Sequence, residues 1–169
     1  IAEPRGERPV EWLIRACQDR SIHSCQDDRG NEAKCLRDAV EASPVRFTQE
    51  ISVRGRKAKI SSETRGRRQP RKSRTAQVEV RATTVTLLGP WRPENKLPSV
   101  TVQVVQVREV NPPQDDVAVE WLLITTLPIE TVEQVREIIQ FYTVRFLIEV
   151  LFRVLKSGCR VEERRFEQL

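Results

Sequence analysis

The sequence predicts an α/β fold in which a mostly antiparallel, β-rich region precedes one buried strand and a long apolar helix. Three observations predict it. Apolar and polar residues alternate in several segments between residues 45 and 110, which is the period of a strand. The continuous apolar run "VEWLLITT", after the break "NPPQDD", is typical of a strand buried on both faces. From residue 132 the apolar spacing becomes helical and continues to about Gly158.

The N-terminal residues predict a short strand and a short helix. "PVEWLIRACQDR" has an apolar core at residues 12–17, and a polar loop follows through Gly30. "NEAKCLRDAVEA" then predicts a short amphipathic helix, because its apolar residues recur at helical spacing: Ala33, Leu36, Ala39 and Val40.

The segments from residue 45 onward predict a β-meander. "VRFTQEISV", "TAQVEVRA", "TTVTLL" and "VTVQVVQVREV" alternate apolar with polar residues, Gln49 excepted, and the proline-rich "GPWRPENKLPS" separates the last two. The basic residues 54–74 follow the first of these strands as a long hairpin tip or loop. Because "NPPQDD" interrupts the pattern again, we predict one domain at residues 1–115 and a second at residues 116–169.

Residues 54–74 concentrate the positive charge of the chain. They hold ten basic side chains and the single acid Glu63, a net charge of +9 in a chain whose total is +5. Such a segment favours a polyanionic partner, and nucleic acid is the natural one. The alternative is a solvated basic loop with no dedicated partner. The basic residues are Arg54, Arg56, Lys57, Lys59, Arg65, Arg67, Arg68, Arg71, Lys72 and Arg74.

The C-terminal helix has start and stop signals. Thr131 is a candidate N-cap, with Glu133 and Gln134 in the first turn, and Gly158 suits the position after the last turn. The sequence leaves open whether this is one helix or two that bend near Tyr142.

This helix, "YTVRFLIEVLFRVLKSG" in its second half, is apolar around most of its circumference but carries one polar stripe. At 100° per residue, Arg145, Glu149, Arg153 and Lys156 all fall within about 60° of Tyr142. A carboxylate among hydrophobic side chains needs a cation or a metal ion, so the stripe must face charge. The alternative is an ion-pair ladder at i,i+4 spacing, from Arg145 through Glu149 to Arg153, on a helix edge open to water.

The cysteines, the single histidine and the hydropathy pattern predict the kind of compartment in which the protein is found. Cys17, Cys25, Cys35 and Cys159 form no CxxC pair and His23 is the only histidine, so free thiols are expected rather than a zinc site. The chain has no apolar run of 18 residues and no signal-peptide pattern. We therefore expect a soluble, cytoplasmic protein with no membrane partner. The absence of methionine predicts a fragment of a longer protein.

The spacing of the polar stripe resembles a known signature. Tyr142, two residues, Arg145, three residues, Glu149, six residues and Lys156 match the Y-(2)-R-(3)-E-(6)-K pattern of bacterial transposases of the insertion-sequence-four type. "LKSGC" and the upstream "NPPQDDVAVEWLLITTLPIETVEQV" are also similar to this family. Its members carry an Asp-Asp-Glu (DDE) triad on a ribonuclease-H-like fold, interrupted by a β-rich insertion with a basic hairpin.

The resemblance implies a fold and an activity. Residues 1–115 would be the insertion domain, and residues 116–169 the C-terminal part of an incomplete ribonuclease-H-like core, with its last strand and catalytic helix. The activity would be DNA transposition, a form of DNA recombination that cuts transposon-end DNA and joins it to target DNA. The complete protein–DNA complex would contain a homodimer and lie at the bacterial nucleoid. The cofactor would be a pair of Mg²⁺ or Mn²⁺ ions about 3.5–4 Å apart.

The resemblance also implies roles for single residues. Glu149 would be a catalytic carboxylate and metal ligand, because hard cations prefer carboxylate oxygens. Trp121, 21 positions before Tyr142, lies where family members carry a tryptophan that can stack on an extruded base. A core tryptophan is the competing interpretation. DNA would be held by Tyr142, Arg145 and Lys156, by Arg15 and Arg20 at the first strand, and by Arg54, Arg56, Lys57, Arg65, Arg67, Arg68, Arg71 and Lys72 of the basic segment.

The two aspartates of the triad precede the matching region in this family. The aspartates of this chain, which lie in predicted loops, a short helix or the insertion, do not suit the role: Asp19, Asp27, Asp28, Asp38, Asp115 and Asp116. We therefore expect the fragment alone neither to bind the metal pair tightly nor to cut DNA. Two alternatives stay open, a catalytically incomplete or decayed remnant that grips DNA phosphates through the basic segment, and a β-rich structural module.

Overall fold

The computed structural model describes residues 10–26, 32–55, 72–90, 97–114 and 116–158. They form a mixed α/β fold whose strand pairs are antiparallel, which confirms the predicted class. No helix in these ranges is both long and apolar enough to cross a membrane. The strands are β1 (Leu13–Arg15), β2 (Ser21–Gln26), β3 (Glu32–Cys35), β4 (Val45–Val53), β5 (Arg74–Leu87), β6 (Val100–Glu109) and β7 (Glu120–Thr125); the helices are α1 (Leu36–Ala42), α2 (Val132–Val144) and α3 (Phe146–Arg153).

The seven strands join in one sheet in the order β1-β7-β6-β5-β2-β3, and β4 also pairs with β5. One edge of β5 pairs with β6, and the other is divided between β4, along residues 74–81, and β2, at Leu87. Since Val53 pairs with Arg74, the basic segment connects two neighbouring antiparallel strands. The predicted hairpin tip or loop itself lies mostly outside the described residues, because these do not include residues 56–71.

Strand β5 unites two segments that the sequence pattern separates. "TAQVEVRA" and "TTVTLL" form one strand of 14 residues, with no turn residue between them. Even-numbered residues up to Ala82 are buried on one face, whereas Val85 is buried on the other. The alternation changes phase because the buried face changes, not because the strand ends.

A separate core lies on each face of the sheet. The α2-side core packs α2 against β5, β6 and β7, and its fully buried residues include Val78, Val80, Val105, Val107, Leu123 and Val135. The α1-side core packs α1 against the other face, and includes Leu36, Val40, Val85, Val102, Val104, Leu122 and Ile124. Each fully buried aliphatic side chain stabilises the fold by about 1.5–3 kcal/mol relative to exposure.

The N-terminal region corrects two expectations. Part of the predicted polar loop is β2, and the predicted helix begins only at Leu36, because Glu32–Cys35 is strand β3 paired with β2. Backbone bonds hold this hairpin, whose buried apolar side chains are Ile22 and Ala33. The backbone N–H of Leu36 donates to the Arg20 carbonyl at 2.8 Å, at the point where β3 ends and α1 begins.

Strand β7 confirms the buried strand predicted at "VEWLLITT". It lies between β6 and β1, and residues 122–125 are buried. The buried Thr125 hydroxyl donates to the Trp12 carbonyl at 2.7 Å and accepts from the Leu127 backbone N–H at 3.1 Å. The predicted domain boundary after residue 115 thus falls between two strands, β6 and β7, that share one sheet.

Candidate functional site

Helix α2 begins where the sequence predicts. The Thr131 hydroxyl accepts from the Gln134 backbone N–H at 3.3 Å, and the Gln134 side-chain oxygen accepts from the Thr131 backbone N–H at 3.0 Å. This capping box satisfies two N–H groups that have no partner within a helix. It fixes the start of the helix, and therefore the face that carries Tyr142.

The helix is interrupted at Arg145, between α2 and α3. The backbone N–H of Arg145 contacts the Tyr142 carbonyl at 3.4 Å, three residues back rather than four. Two residues earlier, the Thr143 hydroxyl donates to the Gln140 carbonyl at 2.7 Å. The structure thus has two helices, which the sequence left undecided.

Three residues of the polar stripe come together at this junction. Tyr142 is buried, with its ring centroid 4.9 Å from that of Trp121 at an interplanar angle of 58°. The guanidinium carbon of Arg145 lies 5.1 Å from the Tyr142 ring centroid, and its Nη1 lies 3.9 Å from Oε1 of Glu149. Trp121, Tyr142, Arg145 and Glu149 therefore form one continuous surface, which we call the YRE surface.

The Arg145–Glu149 pair also matches the first step of the predicted ion-pair ladder. Their side chains are 58% and 69% exposed. An exposed i,i+4 pair stabilises a helix by only about 0.3–0.5 kcal/mol, so the pair contributes little to the fold. What it does is hold the carboxylate next to a guanidinium at the surface.

Lys156, the last signature residue, lies in a π-helical turn at Val154–Gly158 and is exposed. A π-turn closes with i→i+5 bonds, so residues in it rotate away from the positions of a continuous α-helix. The Ser157 hydroxyl donates to the Arg153 carbonyl at 2.6 Å in this turn. The angular match of Lys156 to Tyr142 expected from the sequence therefore holds only for an uninterrupted helix.

Trp121 is half-buried at the start of β7. It packs against the α2-side core and on the Tyr142 ring, so it contributes to the core while part of its surface stays accessible. Arg15 is exposed, and it pairs in register with Leu123. Its Nη2 donates to the Glu120 carbonyl at 2.9 Å, which links β1 to β7. Arg20 is exposed between β1 and β2.

Two of the predicted DNA-binding residues of the basic segment belong to the described residues, and both are exposed. The guanidinium carbon of Arg54 lies 3.4 Å from the ring centroid of Phe146, at the start of α3. The segment therefore begins beside the helix that carries Glu149. Lys72 precedes β5. Six others lie outside the described residues: Arg56, Lys57, Arg65, Arg67, Arg68 and Arg71.

Arg74, counted among the cations of the basic segment, is paired within the fold. Its Nη2 donates to Oε2 of Glu109 at 2.9 Å, and its Nε donates to Oδ2 of Asp116 at 3.2 Å. The Arg74 hydrogen bonds hold the pKa of Glu109 below its usual value, helped by the Val119 backbone N–H and opposed by burial. The same bonds raise the pKa of Arg74.

The sequence contains a signal for the ion group that Arg74 forms with Glu109 and Asp116. Glu109 follows Val105 and Val107 at the two-residue spacing of the buried face, and a carboxylate at a buried position needs a cation. Glu109 is 7% exposed, and its partner lies 35 residues away along the chain. Sequence spacing does not identify so distant a partner.

The described residues do not form a metal site by themselves. Among them, no three His, Cys, Asp or Glu side chains come close enough together to hold an ion. Glu149 supplies one exposed carboxylate, whereas Asp116 pairs with Arg74 and Asp19 accepts the backbone N–H of Arg37 at 3.1 Å. Asp27, Asp28 and Asp115 lie outside the described residues.

A scan of the sequence against models of known protein families found no match. The resemblance to transposases therefore rests on the signature residues and the segments around them.

Proposed function

We propose that this chain is the C-terminal catalytic part of a DDE transposase of the insertion-sequence-four type, and that it acts on DNA. The observation that carries the proposal is the YRE surface. Tyr142, Arg145 and Glu149 are in contact in chain order, and Trp121 lies against the Tyr142 ring. In the proposal, Arg145 and Lys156 hold backbone phosphates, and Glu149 supplies one carboxylate of the reaction site.

The exposed apolar surface of α3 supports a larger core. The helix has no buried residue, and five of its apolar side chains are more than 40% exposed: Leu147, Ile148, Val150, Leu151 and Phe152. A helix that is apolar around most of its circumference belongs largely in the interior of a protein. We propose that α3 completes a ribonuclease-H-like core with further strands of a longer protein, and that those strands carry the two aspartates.

The position of the basic segment supports DNA as the ligand. Its first arginine, Arg54, stacks on Phe146, three residues before Glu149 in the sequence. A polyanion that binds residues 54–72 therefore passes close to the start of α3. Contacts of this kind position a DNA strand without reading its sequence.

A metal-dependent cleavage assay tests the enzymatic part of the proposal. The protein should be extended upstream along its coding DNA until two aspartates, each at the end of an apolar strand, are included. We expect this longer protein to cut transposon-end DNA in Mg²⁺ or Mn²⁺, and Glu149→Gln to abolish cutting while leaving DNA binding in place. A coding sequence without those aspartates, or a Glu149→Gln variant that cuts at the wild-type rate, would contradict the proposal.

The matched control is Arg153→Gln, because Arg153 lies on the same helix but outside the signature. We expect it to cut at close to the wild-type rate. A second measurement is the affinity of the 169-residue chain for duplex DNA at increasing salt concentration. An affinity that falls steeply with salt indicates a DNA-binding protein, whereas a β-rich structural module should not bind the duplex.

A further inference from the structure

The sheet holds the Tyr142 ring in place. Tyr142 lies in the last turn of α2, is 8% exposed and belongs to the α2-side core. Its ring centroid lies 4.9 Å from that of Trp121 on β7, at an interplanar angle of 58°. This separation lies in the range that aromatic pairs favour. The position of the sheet therefore determines the position of the Tyr142 ring.

The side chain of Arg145 has no such support from the core, because it is 58% exposed. An exposed arginine samples many rotamers, and ligand binding has to restrict them. The Arg145 guanidinium carbon lies 5.1 Å from the centroid of the Tyr142 ring. A cation within about 6 Å of a ring centroid is attracted to the face of the ring. The buried ring therefore restricts the guanidinium group before a ligand binds.

The same guanidinium group reaches Glu149. Its Nη1 lies 3.9 Å from Oε1 of the carboxylate, four residues further along the chain. A guanidinium group has five N–H donors, so contact with one carboxylate oxygen leaves donors for a phosphate. Contacts thus run in series from Trp121 in the sheet through Tyr142 and Arg145 to Glu149.

Helical spacing alone does not explain why Glu149 pairs with Arg145. Arg153 also lies four residues from Glu149, on its C-terminal side, and an acid that precedes its base at i,i+4 is the better orientation in a helix. Among the described residues, however, the ion pair joins Glu149 to Arg145 and not to Arg153. The difference between the two arginines is the aromatic ring beside Arg145.

We propose that Tyr142 is a positioning residue of the YRE surface. Its ring, held by Trp121, orients the Arg145 guanidinium group for the DNA phosphate that Arg145 binds and keeps that group beside Glu149. The inference rests on the proposed function, because it takes the contact between Arg145 and a phosphate from it. In the role that the resemblance implies, Tyr142 itself holds DNA. Here the ring acts through Arg145, and the hydroxyl group is not needed.

A double-mutant cycle tests whether Tyr142 acts through Arg145. The affinity of the 169-residue chain for a labelled DNA duplex of random sequence is measured by fluorescence anisotropy at a series of salt concentrations. The variants are Tyr142→Leu, Arg145→Gln and the double variant, and Tyr142→Phe keeps the ring without the hydroxyl group. Ile138→Val is the packing control, because Ile138 is 1% exposed in the same core. Circular dichroism establishes that each variant is folded.

We expect Arg145→Gln to reduce the slope of log affinity against log salt by about 0.9, as for one lost phosphate. Tyr142→Leu should weaken binding by about two- to fivefold, the effect of an exposed cation–π contact. The double variant should bind no more weakly than Arg145→Gln, because the ring then has no guanidinium group to orient. Tyr142→Phe and Ile138→Val should stay close to the wild-type affinity.

A measurement without DNA separates positioning from packing. An aromatic ring shifts the NMR resonances of protons above its face upfield, so the δ-methylene and Nε–H protons of Arg145 should be shifted in the wild type. Arg145→Gln identifies these resonances by removing them. We expect the shift to persist in Tyr142→Phe and Ile138→Val and to vanish in Tyr142→Leu. Arg145 resonances without this shift in the folded wild type would overturn the inference.

The DNA measurements can also overturn it. Additive losses in the double variant would show that Tyr142 and Arg145 act separately, and would leave DNA binding as proposed. An equal loss in Tyr142→Phe and Tyr142→Leu would assign the role to the hydroxyl group, again without affecting the proposed function. A wild-type chain that does not bind the duplex at low salt would overturn the proposed DNA binding and this inference together.

Discussion

Helices α2 and α3 follow each other in the chain, yet α2 packs against the sheet whereas α3 is exposed. α2 mixes polar and apolar residues and buries one stripe, Val135, Ile138, Ile139 and Tyr142, against the sheet. α3, "FLIEVLFR", is far more apolar but has no buried residue. Apolar content indicates that a segment prefers to leave water, whereas burial requires a surface that it can reach. α3 begins after the interruption at Arg145, and none of its residues is buried against the sheet.

The difference also concerns stability. Isolated helices shorter than about 12–15 residues are marginal in water, and most helical stability in proteins comes from packing. α2 has that support from the α2-side core, while α3, with eight residues, relies on its own backbone bonds and the continuation of α2. We therefore expect the two helices to respond differently to the same kind of substitution.

The largest expected difference is between Ile138→Ala and Leu151→Ala. Ile138 is 1% exposed and Leu151 is 55% exposed. Truncating the buried residue should lower the free energy of unfolding by about 2–5 kcal/mol, because it removes apolar contacts and leaves a cavity. Truncating the exposed one should change it by less than about 0.5 kcal/mol. Urea unfolding followed by circular dichroism measures both, and equal losses would show that α3 is packed in solution.

The same contrast between a buried and an exposed group applies to two ion pairs, Arg74–Glu109 and Arg81–Glu79. Glu109 and Arg74 lie on the α2 side of the sheet, with side chains 3% and 18% exposed. Glu109→Gln should lower the free energy of unfolding by about 1.5–3 kcal/mol, as expected for hydrogen bonds to charged groups. The control Glu79→Gln removes a carboxylate that pairs with Arg81 at 3.8 Å and is 39% exposed. A similar loss in both variants would mean that the burial of Glu109 is unimportant.

The Glu109 group also predicts a pH dependence. Its pKa is lowered in the folded state, so its stabilising effect is complete above the pKa of an unfolded glutamate, about 4.3. The effect is lost as the pH falls through the lowered pKa of the folded state. The difference in stability between wild type and Glu109→Gln should therefore shrink as the pH falls below about 4, and a difference that grows there would contradict the assignment.

A smaller effect is expected at the start of α2. Thr131→Ala removes the hydroxyl of the capping box and should cost about 1 kcal/mol in the free energy of unfolding. Thr131→Ser is the matched control, because it keeps the accepting oxygen. The loss should appear as weaker hydrogen-exchange protection of the first turn of α2, without a change in α3. An unchanged first turn would mean that packing alone fixes the helix start.

The smallest effect is expected at the YRE surface. Glu149→Gln breaks an exposed ion pair and should change the free energy of unfolding by less than about 0.5 kcal/mol. Under the proposed function the same substitution abolishes cleavage by the longer protein. A variant that unfolds the chain would instead assign Glu149 to the fold, and its loss of cleavage would then say nothing about the reaction.

The sequence predicted those strands whose alternation is complete. β4 and β6 were correctly expected from their alternation, although β4 is buried only near its end, and β7 was correctly expected from its continuous apolar run. β5 was divided in two because its buried face changes after Ala82. β2 was missed because its residues are mostly polar and exposed, and its partner strand supplies backbone bonds that composition does not indicate.

The candidate site was predictable where it depends on local spacing. Tyr142, Arg145 and Glu149 lie within two turns of helix, so periodicity alone brings them together. The stacking of Trp121 on Tyr142 and of Arg54 on Phe146 depends on tertiary contacts between distant segments. Arg74 was assigned to the basic segment because its partners, Glu109 and Asp116, are far away in the sequence.

The length of β5 also determines how the molecule would carry force. The strand begins at the basic hairpin and is paired with β6 over ten consecutive residues. A pull on the hairpin along the strand axis acts parallel to β5, while the bonds of an antiparallel ladder lie perpendicular to it. All ten pairs then share the load in shear instead of opening one after another. β5 would therefore transmit a pull on the hairpin to both cores at once.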